Sequence, residues 1–121
     1  MKTVYAEIAP FTTKDGSQIR ELMHPAQHAA HGVRAQSFAE AIIEPGQTTA
    51  LHLHRASEEI YHITQGAGRM TLGEQSFDVA VGDTVCIAPN TPHGIRCTSG
   101  KPLKILCACA PAYAHADTVL L

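Results

Sequence analysis

The feature that most limits what this chain can fold into is the alternation His52-Leu53-His54, inside the stretch bounded by Gly46 and Gly66. In an extended strand, successive side chains point to opposite faces. The two imidazoles therefore project side by side, while Leu51 and Leu53 pack on the other face. Two adjacent imidazoles provide half of the ligands of a common type of metal site.

A carboxylate follows at a matching position on the next predicted strand. Glu59, Tyr61 and Ile63 alternate, so they share one face of that strand. A carboxylate that faces two imidazoles across a turn is the 2-His-1-carboxylate set used by open-sided iron, manganese or nickel sites. Taken alone, the same residues would also fit an ordinary polar strand pair, so a second fragment has to decide between the two.

Residues 82–97 are that second fragment. Val85 and Ile87 alternate as a strand, and the two prolines in residues 89–92 indicate a turn. His93 then begins another predicted strand and shares one face of it with Ile95 and Cys97.

The two fragments together resemble a small, single-domain cupin. The first cupin motif is Gly, five residues, His-x-His, three or four residues, Glu, six residues, Gly. The chain matches it, with the four-residue option, at Gly46, His52, His54, Glu59 and Gly66.

The second cupin motif is matched less completely. Gly82 and His93 are in register, but Ala88, Asn90 and Cys97 stand where the motif has proline, glycine and asparagine. Asn90 tolerates the left-handed conformation that a glycine would adopt, so the turn is expected to form. Cys97 is expected to bring a thiol near the pocket.

The resemblance implies an all-β fold, a double-stranded β-helix or jelly-roll barrel, that holds one divalent metal ion and binds a small-molecule substrate. The implied metal ligands are His52, His54, Glu59 and His93, and the metal is Fe, Mn, Ni, Co or Zn. The implied catalytic residues are Glu59 and Tyr61, and the expected pocket residues are Ile63, Ile95 and Cys97.

Three functions remain open at this point. The first is an oxygen-using, dioxygenase-type enzyme acting on a small organic molecule. The second is a metal-dependent sugar isomerase, epimerase or lyase, in which Glu59 or Tyr61 moves the proton. A phosphorylated substrate would need Arg or Lys in the pocket, and neither Arg55 nor Arg96 is well placed. The third is a cupin that binds a small ligand without catalysis.

The expected organisation is one domain with N-terminal strands and a loop in residues 1–34, the barrel in residues 35–113 and a tail in residues 114–121. Within the first part, residues 1–9 are predicted to form an edge strand, and Asp15-Gly16 to form a hairpin turn. His24, His28 and His31 have helical spacing, but Pro25 and Gly32 bracket too little chain for a stable helix, so a loop is expected. The apolar tail, residues 118–121, is expected to lie on a partner in a homodimer or to fold back on its own barrel.

Composition excludes several classes of partner. A net charge of −2 provides no basic surface for nucleic acid or an anionic membrane. No apolar run approaches the ~20 residues of a membrane span, and the first ten residues lack the apolar core of a signal peptide, so a cytoplasmic location is expected. The four cysteines show no disulfide spacing, and Cys107 and Cys109 are expected to behave as small buried hydrophobic residues.

Overall fold

The computed structural model describes all 121 residues and consists of two antiparallel sheets. The six-stranded sheet has the order β1-β2-β3-β10-β5-β8, and the five-stranded sheet has the order β11-β4-β9-β6-β7. The strands are β1 (Phe11–Thr12), β2 (Gln18–Met23), β3 (Ser37–Ile43), β4 (His52–His54), β5 (Glu58–Gln65), β6 (Ala67–Leu72), β7 (Gln75–Ala80), β8 (Thr84–Ile87), β9 (His93–Cys97), β10 (Leu103–Ala110) and β11 (Thr118–Leu120). This arrangement confirms the predicted all-β jelly roll.

The core lies between the two sheets. Along β5 every second residue is buried, and Glu59, Tyr61 and Ile63 face inward as the alternation predicts. On β3 the sequence left two faces open, and the structure places Ala39, Ala41 and Ile43 inside. The inward residues form one continuous hydrophobic cluster, which includes Ile63, Met70, Ile87, Ile95, Leu103 and Ile105.

The first residues do not form the predicted edge strand. A short 3₁₀ helix, Tyr5–Glu7, occupies this region instead. The Tyr5 hydroxyl donates a hydrogen bond to Glu40 on β3, and the guanidinium of Arg20 lies 4.8 Å from the Tyr5 ring centre. These side-chain contacts hold the segment against the sheet without strand pairing, so the prediction for residues 1–9 was wrong.

The predicted hairpin at Asp15-Gly16 is present, because β1 pairs with β2 through Phe11 and Ile19. Gly16 has φ of 91°, which an L-residue rarely adopts. The turn is also tied to the far end of the chain, since Lys14 Nζ donates to the carbonyl oxygens of His115 and Thr118 at 3.2 and 2.8 Å.

The histidine-rich segment forms more helix than expected. One helical turn, α1 (Pro25–His28), is followed by a 3₁₀ turn, Ala29–His31. The His24 side chain accepts a hydrogen bond from the backbone N–H of Ala26, and proline occupies the first helical position. This capping stabilises a single turn that spacing alone did not predict.

The C-terminal tail folds back on its own barrel. A 3₁₀ turn, His115–Asp117, leads into β11, which pairs with β4 of the same chain. Of the two expectations for the tail, the structure therefore has the intrachain one. The division of the chain at residues 34/35 and 113/114 remains a prediction, and β1, β2 and β3 belong to one sheet. No helix has the length and apolar character needed to cross a membrane.

Candidate metal centre and cavity

Three histidines converge inside the barrel. His52 and His54 lie on β4, and His93 opens β9 directly opposite His52 in the strand register. All three are buried, and one ring nitrogen of each lies within 4.8 Å of the others. The left-handed turn before β9 forms as expected, since Asn90 has φ of 62°.

Backbone carbonyls fix the orientation of two of these rings. Nδ1 of His52 lies 2.7 Å from the carbonyl oxygen of Ala50, and Nδ1 of His93 lies 2.9 Å from that of Thr91. A carbonyl only accepts, so each Nδ1 carries the proton. In the neutral ring, Nε2 is then left with a free lone pair, which is the form that binds a metal ion.

The third ring is held by a side chain from the tail. Nδ1 of His54 lies 3.0 Å from Oγ1 of Thr118, and that hydroxyl donates to the carbonyl of Ala114 at 3.1 Å. Because the hydroxyl proton is used in this way, Thr118 accepts from His54 Nδ1–H. All three histidines therefore present an unprotonated Nε2.

Glu59 lies among these nitrogen atoms. Its Oε1 is 3.3 Å from Nε2 of His54 and 3.4 Å from Nε2 of His93. Glu59 Oε1 and His93 Nε2 are buried and have no hydrogen-bond partner. Two donors bonded at about 2.1 Å to one ion lie roughly 3.0 Å apart at right angles and roughly 3.4 Å apart at the tetrahedral angle. The donor set therefore fits a divalent metal ion.

The pKa shifts favour an ionised Glu59 carboxylate and a neutral His52 imidazole. Burial alone would raise the pKa of Glu59, but His54 and His93, when either ring carries a proton toward Oε1, outweigh burial and lower the pKa to about 2. Burial, followed by the neighbouring His93, lowers the pKa of His52. Both shifts favour the protonation states that ligate metals.

The donor set opens onto a cavity of about 540 Å³, a volume that includes the open mouth. Its wall contains His52, His54 and Glu59, whereas His93 lies behind it, fully buried. The remaining lining residues are Phe11, Thr13, Asp15, Ser17, Ile19, Glu21, Ser37, Ala39, Ala41, Tyr61, Cys107, Cys109, Tyr113 and Thr118.

The expected pocket residues need correction. Ile63, Ile95 and Cys97 are each 1% exposed and belong to the hydrophobic core, not to the cavity wall. These residues lie farther along β5 and β9 than Glu59 and His93 do, in a region where side chains of the two sheets pack against each other. The Cys97 thiol instead contacts the carbonyl oxygen of Lys101 at 3.3 Å.

Tyr61 lines the cavity as its place on β5 suggests. Burial, followed by the charge of Glu59, raises the pKa of its hydroxyl well above 10. The hydroxyl therefore stays protonated and can donate a hydrogen bond. A catalytic role for Tyr61 remains a proposal.

Sequence reasoning missed the cysteines on β10 as site residues. All four cysteines are free, and Cys107 and Cys109 are buried as expected, but both also line the cavity. The Cys109 thiol donates to Glu59 Oε2 at 3.2 Å, and burial together with that carboxylate raises the pKa of the thiol. The i, i+2 spacing on a strand put both thiols on one face. The pairing of β10 with β5 opposite Glu59 was not visible in the sequence.

Comparison with known proteins agrees with this geometry. The family model described as Cupin domain matches residues 39–109. An uncharacterized protein of Methanocaldococcus jannaschii is 52% identical over 121 residues, covering all of this chain and 94% of the relative.

Two solved structures share the fold. One is an oxalate decarboxylase of Lactobacillus farciminis, with 21% identity and a TM-score of 0.81, which matches 96% of this chain but only 34% of its own. The other is the nucleoside dehydratase Pac13 of Streptomyces, with 16% identity and a TM-score of 0.79, matched over 100% of this chain and 89% of its own. By the match of its family model to residues 39–109, this chain belongs to the cupin family.

Proposed function

We propose that this cupin is a mononuclear metal-dependent enzyme that catalyses redox-neutral proton transfer on a small organic molecule, as an isomerase or a lyase. The observation that carries the proposal is the convergence of three lone-pair-bearing Nε2 atoms and Glu59 Oε1 at the inner end of a cavity. A closed structural site would not need such an opening.

The residues proposed to hold the ion are His52, His54, His93 and Glu59. A bound divalent ion would supply Lewis-acid polarisation of a hydroxyl or carbonyl oxygen. Cys109 holds Glu59 Oε2, which leaves Oε1 directed at the histidines. Tyr61, kept protonated, would donate to a developing negative charge in the substrate.

The lining favours proton transfer over oxygen-dependent chemistry. Besides Glu59, the carboxylates of Asp15 and Glu21 line the cavity, so it holds several groups that can accept a proton. No Lys or Arg lines it, which argues against a phosphorylated sugar. The three-histidine, one-carboxylate set also suits a dioxygenase-type enzyme, which is therefore the second candidate.

Metal content and reaction type can be tested together. Protein purified without added metal is expected to contain close to one equivalent of Fe, Mn, Ni, Co or Zn by elemental analysis. The metal-loaded protein is then incubated in D₂O with neutral pentoses and hexoses, and ¹H NMR follows deuterium incorporation at carbon. Incorporation that disappears in a His52→Ala, His54→Ala double variant would support the proposal.

The oxygen electrode separates the two candidates. The same metal-loaded protein is given β-diketones, catechols and flavonols in air, and no uptake of O₂ above the metal-free control is expected. Metal-dependent uptake would select the dioxygenase candidate. Ligand binding with neither uptake nor deuterium incorporation would select the third possibility, a non-enzymatic binding protein.

A further inference from the structure

The N-terminal hairpin forms a wall of the cavity that lies outside the residues matched by the cupin family. Residues from β1, β2 and the turn between them line the cavity. Two of these residues carry carboxylates, Asp15 in the turn and Glu21 near the end of β2. This wall is therefore built by the part of the chain that the shared motifs do not describe.

Asp15 is held with one oxygen atom fixed and the other free. Its Oδ1 accepts hydrogen bonds from Thr13 Oγ1, Ser17 N–H and Ser17 Oγ at 2.8, 2.9 and 2.7 Å. Its backbone carbonyl accepts from Ala50 N–H at 2.8 Å, next to the carbonyl that orients His52. Oδ2 makes no hydrogen bond within the chain and lies 3.7 Å from His52 Nε2. The turn thus presents a preorganised acceptor beside the metal donors.

Glu21 is a second acceptor without an intrachain partner. It is 5% exposed and lines the cavity, and its carboxylate forms no hydrogen bond or ion pair with the rest of the chain. A buried carboxylate normally has hydrogen-bond partners, because removing it from water without them is costly. A molecule in the cavity that donates hydrogen bonds would meet this requirement.

The charge of the wall restricts the chemistry of that molecule. Three carboxylates line the cavity, those of Asp15, Glu21 and Glu59, and no Lys or Arg accompanies them. Even when the charge of a bound divalent ion is included, the three carboxylates leave this wall negative, which disfavours an anionic ligand. A hydroxyl group can direct its oxygen at the metal donor set while it donates its proton to a carboxylate, whereas an ammonium group has no lone pair for the first contact.

We propose that the cavity binds a neutral polyhydroxy molecule, with Asp15 Oδ2 and the Glu21 carboxylate accepting hydrogen bonds from its hydroxyl groups. This rests on the proposed function, since it names the substrate class for the same site. Asp15 and Glu21 select the ligand, while the histidines and Glu59 hold the ion.

The test uses three probes with the same open six-carbon chain and different charge: D-sorbitol, D-gluconate and 1-amino-1-deoxy-D-sorbitol. Binding to the metal-loaded full chain is measured by isothermal titration calorimetry. D-sorbitol is expected to bind at least about tenfold more tightly than D-gluconate. Asp15→Asn and Glu21→Gln are each expected to weaken D-sorbitol binding by roughly tenfold or more, because each variant loses a hydrogen bond to a charged group.

The control variant is Asp83→Asn. Asp83 also accepts a backbone hydrogen bond in a turn, from Ala80 N–H at 2.8 Å, but it does not line the cavity. This variant should bind D-sorbitol as the unmodified chain does. Glu21→Gln breaks no intrachain hydrogen bond, so it tests the proposal even if Asp15→Asn disturbs the hairpin.

Several results would overturn the proposal. They are absence of D-sorbitol binding, equal or tighter binding of D-gluconate or 1-amino-1-deoxy-D-sorbitol, or unchanged D-sorbitol binding in Glu21→Gln. Loss of metal from Asp15→Asn would make Asp15 a metal donor and would also overturn it. Failure of the proposed function would be visible separately, as a metal-free purified protein or as the absence of deuterium incorporation.

Discussion

The imidazole of His54 and the hydroxyl of Thr118 lie 3.0 Å apart, at the position where β4 and β11 pair residue for residue. Thr118, three residues before the end of the printed sequence, therefore sets the tautomer of a candidate metal ligand. A residue that hydrogen-bonds to a metal ligand does not touch the metal itself. Replacing such a residue nevertheless commonly lowers the affinity for the metal.

Thr118→Val is expected to weaken metal binding. Valine has the same shape but cannot accept the proton of His54 Nδ1, so that ring loses its fixed tautomer. A loss of about 10- to 100-fold in affinity is expected. Thr118→Ser, which keeps the hydroxyl, is the matched control, and competition with a metallochromic chelator measures both. Equal affinities in the valine and serine variants would contradict the role assigned to Thr118.

His52, His54 and His93 are each expected to be needed for full metal occupancy. Each offers an unprotonated Nε2 from a fixed position, so replacing one by alanine should lower affinity by orders of magnitude. The His52→Ala, His54→Ala double variant should be empty by elemental analysis. His62→Ala is a suitable control, because His62 is exposed on the outer side of β5. If the double variant still contained one equivalent of metal, the assignment of these histidines as metal ligands would be wrong.

Glu59→Gln is expected to affect catalysis more than metal retention. Three histidines remain to hold the ion, while the amide has nearly the same shape but carries no charge and cannot take up a proton. Most of the metal should stay and most of the activity should be lost, as measured by elemental analysis and deuterium incorporation. Since the pKa of Glu59 is about 2, a role as ligand alone is the competing outcome. Parallel loss of metal and activity would select it.

The metal-free protein is expected to lose stability on acidification through His52. Burial lowers the pKa of this histidine below its ordinary value of 6.5. Below about pH 6.5 the unfolded chain binds a proton there that the folded chain does not, so the free energy of unfolding falls as the pH falls. Urea denaturation at about pH 7.5 and about pH 5.5 should show a smaller fall in His52→Gln. An unchanged fall in that variant would rule out this contribution.

The chain is expected to form a homodimer through the outer face of the six-stranded sheet. Phe38 and Ile60 are each 40% exposed, and Ala108 lies between them in the strand register. In the tail, β11 pairs with β4 of the same chain, and Leu120 and Leu121 stay 47% and 64% exposed. Light scattering should report twice 12.9 kDa, and Ile60→Lys should reduce it to the single-chain mass.

A matched control for the dimer is Val81→Lys. Val81 is 63% exposed and lies in the turn after β7, a strand of the five-stranded sheet. The mass should stay that of the dimer in this variant. A monomeric unmodified chain in micromolar solution would contradict the expectation.

The convergence of the candidate metal donors could be predicted from the sequence because these residues sit at fixed spacings on neighbouring strands. His52, His54 and Glu59 are close in sequence, and His93 is placed by a turn whose residues are themselves recognisable. The core position of Ile95 could not be predicted in the same way, since it depends on how far along the strand the two sheets separate.

The other residues of the cavity wall are positioned by the order of the strands in the sheets, and local sequence patterns do not reveal that order. Asp15 and Thr118 reach the site because β2 pairs with β3 and β11 pairs with β4. Cys109 reaches Glu59 because β10 lies beside β5. Each of these pairings joins residues far apart in the chain, so only the assembled sheets bring them to the cavity.

The two hydrogen bonds from Lys14 to the carbonyls of His115 and Thr118 bind the hairpin turn to the C-terminal strand across more than one hundred residues. No nascent chain that ends before Thr118 can enclose the cavity or orient all three imidazoles. A divalent ion is therefore expected to add its full binding energy only after Thr118 has joined the fold, and not while the first strands assemble.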